Sequence, residues 1–221
     1  MALPGEARST ASGQHWQMSK AYPEHGGVPT ATMMDWPEDL LAAISQSAIP
    51  QVRPERIAFL DTETTGLAGG TGTVAFVIGL GQITAEGFVV KQYFMREFDE
   101  EASQLEALAE DLREFDVLVT YNGRTFDQPL LESRYVMNRQ KPPFARLEHL
   151  DLLYGARRLW KLKFESCRLV ELESRVLGHE RVGDVPGAMI PALYFQYLRT
   201  KRGSPLEPVF EHNRLDIVSL A

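Results

Sequence analysis

The sequence predicts an α/β protein in which a mixed sheet is flanked by helices. Three short runs rich in β-branched and aromatic residues come first in the main part of the chain, at 56–61, 73–83 and 88–95. Two more apolar runs, at 116–121 and 147–153, each follow a segment with helical spacing. Strands that alternate with helices are typical of a sheet that contains parallel neighbours.

Helices account for most of the remaining pattern. Leu105, Leu108 and Leu112 recur every three or four residues, which is the spacing of one helix face. The predicted helical segments are 100–114, 127–139 and most of the chain after 153, with breaks at 178–190 and 201–205. The last helix reaches Ala221 without a capping residue, so we expect the native chain to continue.

Composition divides the 221 residues into three parts. Residues 1–34 contain only two residues among Leu, Ile, Val and Phe, too few to order a segment by itself, so we expect a flexible arm. A capping acid at Asp35 and a Glu three residues later, at Glu38, predict an N-terminal helix and linker over 35–50. The main domain is expected to be 51–221.

Composition also excludes several classes of protein. No run of about 18 uncharged apolar residues is present, so the sequence predicts no membrane-spanning helix. Cys167 is the single cysteine and cannot form an internal disulfide, which fits a reducing compartment and a cytoplasmic location. The net charge of −7 argues against general electrostatic binding of nucleic acid. A nucleic-acid enzyme is still compatible with it, because a metal centre adds local positive charge.

Two acidic residues stand together at the end of the first predicted strand. Asp61 and Glu63 are two residues apart, so a strand places both carboxylates on the same face. Like charges so placed repel unless a cation neutralises them, and hard divalent cations such as Mg²⁺ prefer oxygen ligands. On the residues alone, the alternative is that Asp61 ends the strand and Glu63 is solvated in a turn.

Two later segments add further acids at the ends of predicted elements. Asp127 follows the strand at 116–121 and opens a helix, where an acid also acts as an N-terminal cap. His212 and Asp216 are four residues apart, so a helix places them on one face, although a surface pair has the same spacing. Each segment by itself has a structural explanation, but the three together indicate a functional site much more strongly than any one of them.

The motifs D-x-E, N-x-x-x-F-D and H-x-x-x-D, in this order, resemble those of the DEDD (DnaQ-like) 3′–5′ exonucleases, and most of all the YprB-type branch. The resemblance covers residues 55–221 and is carried by FLDTETTGL, TYNGRTFDQPLLESR, and PGAMIPALYFQYLRT followed by EHNRLDIVSLA. It implies a ribonuclease H-like fold, in which three antiparallel strands are followed by parallel strands. It also implies hydrolysis of single-stranded DNA or RNA from the 3′ end.

The resemblance further implies the roles of five residues. Asp61, Glu63, Asp127 and Asp216 would bind two Mg²⁺ or Mn²⁺ ions, and His212 would be the general base. The histidine stands four residues before the last aspartate, a spacing that tyrosine enzymes of this superfamily use, whereas histidine enzymes use five. An endonuclease on the same fold, or a catalytically silent scaffold that binds nucleic acid or protein, stays open as an alternative function.

Substrate contacts are predicted from polar, basic and aromatic residues near these motifs. The segment 154–164 interleaves basic and aromatic residues, as a surface that tracks phosphates and stacks bases would, although a solvated helix end has the same composition. The candidate contacts are Thr62, Thr64, Asn122, Phe126, Arg158 and Lys161. His149 and Asp151 share a strand face and are expected to be structural instead of a second metal pair. Asp184 lies in a predicted loop that could approach the metals, but we expect it to lie away from them.

Overall fold

The computed structural model describes residues 3–22, 24–25, 28–29, 52–66, 72–85 and 87–221. The helix predicted within 35–50 lies outside the described residues. The strands are β1 (Glu6–Thr10), β2 (Gly13–Tyr22), β3 (Glu24–His25), β4 (Val28–Pro29), β5 (Ile57–Thr64), β6 (Ala75–Thr84), β7 (Gly87–Phe94), β8 (Val117–Thr120) and β9 (Glu148–Asp151). The α-helices are α1 (Glu101–Asp111), α2 (Asp127–Met137), α3 (Leu152–Trp160), α4 (Leu169–Leu172), α5 (Ile190–Thr200) and α6 (Glu207–Leu220).

Seven strands form one sheet in the order β1-β2-β7-β6-β5-β8-β9, while β3 pairs only with β4. Strands β5, β6 and β7 are antiparallel neighbours in chain order, and β8 and β9 add parallel to the other edge of β5. The predicted α/β class, with three antiparallel strands followed by parallel strands and flanking helices, is therefore confirmed. No helix among the described residues is long and apolar enough to span a membrane.

Strand β5 is the centre of the sheet, and its residues alternate between two cores. Ala58 and Leu60 pack in a cluster with side chains of α1 and α2. Ile57 and Phe59 pack on the other face, in a cluster that includes Ile217 of α6. The two-residue period of a strand therefore decides which helix each later residue of β5 faces.

Helix α6 lies unusually close to strand β6 because two glycines of that strand have no side chain. A Cβ atom at Gly79 would lie 2.1 Å from Cδ1 of Ile217 and 2.4 Å from Oδ1 of Asn213. A Cβ atom at Gly81 would lie 2.5 Å from Cγ2 of Ile217. Gly79 is also the cross-strand partner of Asp61. The close approach therefore seats α6 directly over the end of β5.

The N-terminal strands differ from the flexible arm that the composition predicts. Strand β2 pairs along its length with β7, from Trp16 opposite Phe94 to Tyr22 opposite Phe88. Met18 is buried in a core cluster with Phe94. The prediction failed here because it counted only the aliphatic side chains with which a segment orders itself, whereas a strand added to a sheet edge is held by backbone hydrogen bonds.

Candidate functional site

Strand β5 directs two carboxylates toward α6. Asp61 and Glu63 continue the face that begins with Ile57 and Phe59, which is the face that packs against α6. Side-chain amide Nδ2 of Asn213 donates to Oδ2 of Asp61 at 2.9 Å and lies 3.3 Å from its backbone oxygen. Asn213 is completely buried, so this contact fixes the helix and the strand end relative to each other.

Asp127 reaches the same strand end from the other helical layer. It is the first residue of α2. The buried residues of this helix pack against the face of the sheet that carries Ala58 and Leu60, opposite to the face covered by α6. The hydroxyl of Thr62 donates to Oδ1 of Asp127 at 2.5 Å. Thr62 was predicted to contact substrate, and the structure places its hydroxyl against a neighbouring carboxylate.

Helix α6 carries His212 and Asp216 on one face, as their four-residue spacing predicts. Atom Nε2 of His212 lies 3.8 Å from Oδ2 of Asp216. Both side chains are largely buried. The three predicted motifs are therefore brought to one end of the sheet by β5, by the start of α2 and by one face of α6.

Burial raises the pKa values of all four acids, and repulsion from the other acids raises those of Asp61 and Glu63 further. The pKa of Asp61 is well above its ordinary value because of burial, followed by the charges of Asp216, Asp127 and Glu63. The pKa of Glu63 is raised by burial and by Asp216 and Asp127. Burial raises the pKa of Asp127 to about 6, against the hydrogen bond from Thr62, and it also raises that of Asp216. Such groups are held together at a cost that a bound cation would remove.

A buried arginine neutralises part of this charge. The guanidinium of Arg181 is 3% exposed and forms ion pairs with three carboxylates, those of Glu173, Asp184 and Asp216. Burial lowers the pKa of Arg181, but its bonds to Glu173 and Asp216 outweigh burial and raise it overall. Arg181 therefore stays charged and holds one oxygen of Asp216.

Asp184 contacts the candidate base, although the favoured sequence interpretation left it outside the site. Its two oxygens lie 2.8 and 2.9 Å from Nδ1 of His212. Burial alone would raise the pKa of Asp184, but the bonds from His212 and Arg181 outweigh it and lower the pKa. Because an ionised carboxylate only accepts, Nδ1 of His212 donates to Asp184, and Nε2 of the same ring faces Asp216.

The donor set fits hard divalent cations in chemistry but is not arranged as a ready-made cage. No three His, Cys, Asp or Glu side chains stand in a metal-binding arrangement in the described part of the chain. Three of the acids instead have an oxygen in a hydrogen bond, Asp61 with Asn213, Asp127 with Thr62 and Asp216 with Arg181. Four buried carboxylates close together are nevertheless the type of ligand set that Mg²⁺ and Mn²⁺ prefer.

Three more of the predicted substrate contacts lie in the segments that follow β5 and β8. The hydroxyl of Thr64 donates to the backbone oxygen of Gly66 at 2.8 Å, so it closes the turn after β5. Asn122 has a left-handed backbone, with a φ of 65°, in the turn after β8. Phe126 precedes α2 with a side chain that is 46% exposed. All three stand beside the acids without contacting them in a hydrogen bond.

The basic candidates lie on α3 and just after it. Arg158 and Lys161 are both exposed. Lys161 lines a cavity of about 500 Å³ together with Asn122, whereas Arg158 is not part of its wall. The structure therefore brings one of the two predicted basic contacts next to the Asn122 turn.

His149 and Asp151 are engaged in structural contacts, as the favoured interpretation expects. Asp151 is buried and accepts from the backbone nitrogens of Asn122, Arg124 and Leu153, at 2.7, 3.1 and 3.1 Å. His149 lies within hydrogen-bond distance of Thr120 and Gln128, and burial lowers its pKa to about 4. Asp151 thus joins the turn that precedes Asp127 to the start of α3.

Sequence reasoning missed Arg181, Glu173, Asn213 and Gln92. The amide of Gln92 donates to Oδ1 of Asn213 at 2.7 Å and thereby orients the amide that bonds Asp61. A glutamine within the apolar strand at 88–95 was a usable signal, because a buried polar side chain needs a partner. Arg181 lies in a predicted loop without periodicity, and no local pattern connects it to Asp216.

Comparisons with known proteins agree with this architecture. A model of the RNase_H superfamily matches residues 58–221. The uncharacterized protein YprB of Bacillus subtilis (strain 168) is 38% identical over 165 residues, covering 73% of this chain, which spans 39% of that relative's length. The family B DNA polymerase of Pyrobaculum calidifontis has a similar fold, with a TM-score of 0.59 at 15% identity over 95% of this chain and 28% of the polymerase. With a family model that covers most of its length, the chain belongs to the RNase_H superfamily.

Proposed function

We propose that this protein is a divalent-metal-dependent 3′–5′ exonuclease that hydrolyses phosphodiester bonds at the ends of single-stranded nucleic acid. The observation that carries the proposal is the convergence of four buried carboxylates from β5, α2 and α6, with pKa values raised by burial and, at Asp61 and Glu63, also by the charges of Asp216 and Asp127. Repulsion between buried carboxylates lowers the stability of the fold, so packing alone does not explain why they stand together. Membership of the RNase_H superfamily supports a nuclease.

In this proposal Asp61, Glu63, Asp127 and Asp216 hold two Mg²⁺ or Mn²⁺ ions. The ions supply activation of the attacking water and stabilisation of the leaving oxygen. Asp61 would be the central ligand, since the charges of Asp127 and Asp216 both act on it. Arg181 must share Asp216 with a cation, since its guanidinium bonds one of the two carboxylate oxygens.

His212 is the proposed general base. Asp184 accepts from Nδ1 and so orients the ring, which leaves Nε2, on the side of Asp216, as the atom that would take a proton from the attacking water. This arrangement of base and orienting carboxylate is the same logic by which other hydrolases fix the tautomer of a catalytic imidazole. Asn213 and Thr62 position Asp61 and Asp127 and take no part in proton transfer.

A single nuclease assay tests the proposal. Labelled single-stranded DNA and RNA, each with a free or a blocked 3′ end, are incubated with the protein in Mg²⁺, in Mn²⁺ or in EDTA. We expect stepwise shortening of the free ends that needs metal, stalls at the blocked end and is lost in Asp61→Asn. Internal cleavage of the blocked strand would identify an endonuclease instead, and binding without cleavage would identify a scaffold.

A further inference from the structure

A cavity beside the acidic site has the opposite electrostatic character. It encloses about 500 Å³ between the turn after β8, helix α3 and the segment that leads to α4. Pockets of several hundred cubic ångströms are the usual size for a ligand as large as a nucleotide. Its wall contains three basic residues, Arg157, Lys161 and Arg168, and one acidic residue, Glu165. In a chain with a net charge of −7, this is a local concentration of positive charge.

The basic side chains of this cavity are available to an anion. None of the three forms an ion pair with an acidic residue of the described chain. Arg157, Lys161 and Arg168 are all exposed at the cavity wall. Arg181, by contrast, is saturated by three carboxylates. Unpaired cations around a concavity attract phosphate more strongly than cations on a convex surface.

Two aromatic rings complete the wall. Tyr121 and Phe164 both line the cavity and are partly buried. The hydroxyl of Tyr121 donates to the backbone oxygen of Cys167, so the ring is fixed between the end of β8 and the opposite wall. Aromatic faces next to cations are the combination that binds the base and the phosphate of a single-stranded nucleotide.

The cavity is mechanically joined to the candidate site. Asn122 lines it and stands in the turn that leads to Asp127. Asp151 accepts hydrogen bonds from this turn and from the first turn of α3, so the acids and the cavity wall share one rigid support. A single-stranded nucleic acid whose end is bound at the four carboxylates would therefore pass close to the opening of the cavity.

We propose that this cavity binds one nucleotide unit of a single-stranded nucleic acid, with its phosphate against the three cations and its base against Tyr121 and Phe164. The inference rests on the proposed function, since it assigns the cavity to the strand that the carboxylates would cut. A duplex does not fit this assignment, because a paired and stacked base can lie against the two rings only after it is flipped out.

Binding measurements in EDTA test the cavity apart from hydrolysis. A fluorescent oligothymidylate of about ten nucleotides is titrated with the intact protein over a series of salt concentrations. The double variant Arg157→Gln, Lys161→Gln should bind about tenfold more weakly, and the slope of log K against log salt should become shallower by about 1.4, which is the share of two phosphate contacts on a single strand. The double variant Lys141→Gln, Arg199→Gln makes the same change in net charge on exposed residues outside the cavity, and it should bind as the wild type does.

The aromatic contact has a different signature. Phe164→Leu keeps an apolar side chain but removes the stacking face, so affinity should fall about fivefold or more at every salt concentration without a change of slope. Titration with deoxyadenylate distinguishes a strand from a free nucleotide. We expect much weaker binding of deoxyadenylate than of the oligonucleotide, and the reverse order would overturn the assignment to a strand.

The outcomes separate this inference from the proposed function. Equal affinities and salt slopes for the cavity variant and its control would overturn the inference even if the protein degrades single strands. A protein that cuts no nucleic acid but shows the cavity-dependent salt slope would overturn the exonuclease and leave the cavity assigned to single-stranded nucleic acid.

Discussion

Asp127 and Asp216 approach the same strand end from opposite layers, and they are held by different kinds of contact. Asp127 receives a hydrogen bond from the neutral hydroxyl of Thr62. Asp216 is bonded by the guanidinium of Arg181 and lies close to His212. The α2 half of the candidate site is therefore built from neutral contacts, whereas the α6 half is an ionic network. This difference suggests that the α2 half only positions a ligand, while the α6 half also manages charge and protons.

The largest expected effect comes from two acids of the proposed metal site, one on β5 and one in the α2 half. Asp61→Asn and Asp127→Asn should each abolish hydrolysis, because each removes a proposed metal ligand. Without metal, thermal stability should hold or rise, since the substitution relieves repulsion among buried carboxylates. Stabilisation by Mg²⁺ should shrink in parallel. Ready unfolding of the metal-free variants in a thermal melt would instead mean that the acids are structural.

The next effect separates proton transfer from metal binding within the α6 half. His212→Ala should lower the rate by about 10²–10⁴-fold, the usual range for general acid–base catalysis, with nearly unchanged Mn²⁺ affinity in calorimetry. His212→Tyr should recover part of the activity with an optimum at higher pH, because a phenol titrates at about 10. Wild-type rates in His212→Ala would show that no imidazole is needed.

Stability measurements compare the two halves directly. Arg181→Gln leaves Glu173, which is fully buried, without its ionic partner and should lower the free energy of unfolding by about 3–5 kcal/mol. Thr62→Val removes one neutral hydrogen bond and should cost about 1 kcal/mol. Arg175→Gln, at an exposed ion pair with Glu171, is the control and should change it by less than about 0.5 kcal/mol. Equal losses for Arg181→Gln and Thr62→Val in urea unfolding would contradict the distinction between the halves.

The smallest effect is a pH dependence that belongs to the α2 half. Because the pKa of Asp127 is raised to about 6 in the fold, the folded chain keeps a proton that the unfolded chain releases near pH 4. The stability from this group is complete below about pH 4 and is lost as the pH rises through about 6. Melting temperatures of the metal-free protein should therefore fall across this range, and less so in Asp127→Asn. An equal fall in both proteins would assign the dependence to other groups.

Local patterns were enough to predict the sheet, because its strands and helices bury their own apolar faces. The runs at 56–61 and 116–121 and the leucines of α1 identify elements whose packing depends on periodicity. Strands β1 and β2 were missed because β2 pairs with β7, which lies about 70 residues away in sequence, and β1 pairs in turn with β2. An edge strand can be formed from polar residues, so its composition carries little information.

The residues of the candidate site also fall into those that the sequence predicts and those that it does not. The acids and His212 stand at element ends, where the sequence order alone makes them conspicuous. The contacts that orient them, from Arg181 to Asp216 and from Asp184 to His212, are made by a loop whose path is set by the packing of α6. Such contacts between a loop and a helix leave no periodic trace in the sequence.

The geometry of the acidic site depends on Gly79, a residue that has no side chain and takes no part in the proposed chemistry. Since a methyl group there would overlap both Ile217 and Asn213, Gly79→Ala would force these two buried side chains, and with them α6, to shift away from the sheet. The helix carries Asn213, His212 and Asp216 together, so one added carbon atom would withdraw the base, one acid and the amide that fixes Asp61 in the same movement. The close seating of the last helix, and with it the completeness of the cluster, therefore depends on the absence of a side chain at this one strand position.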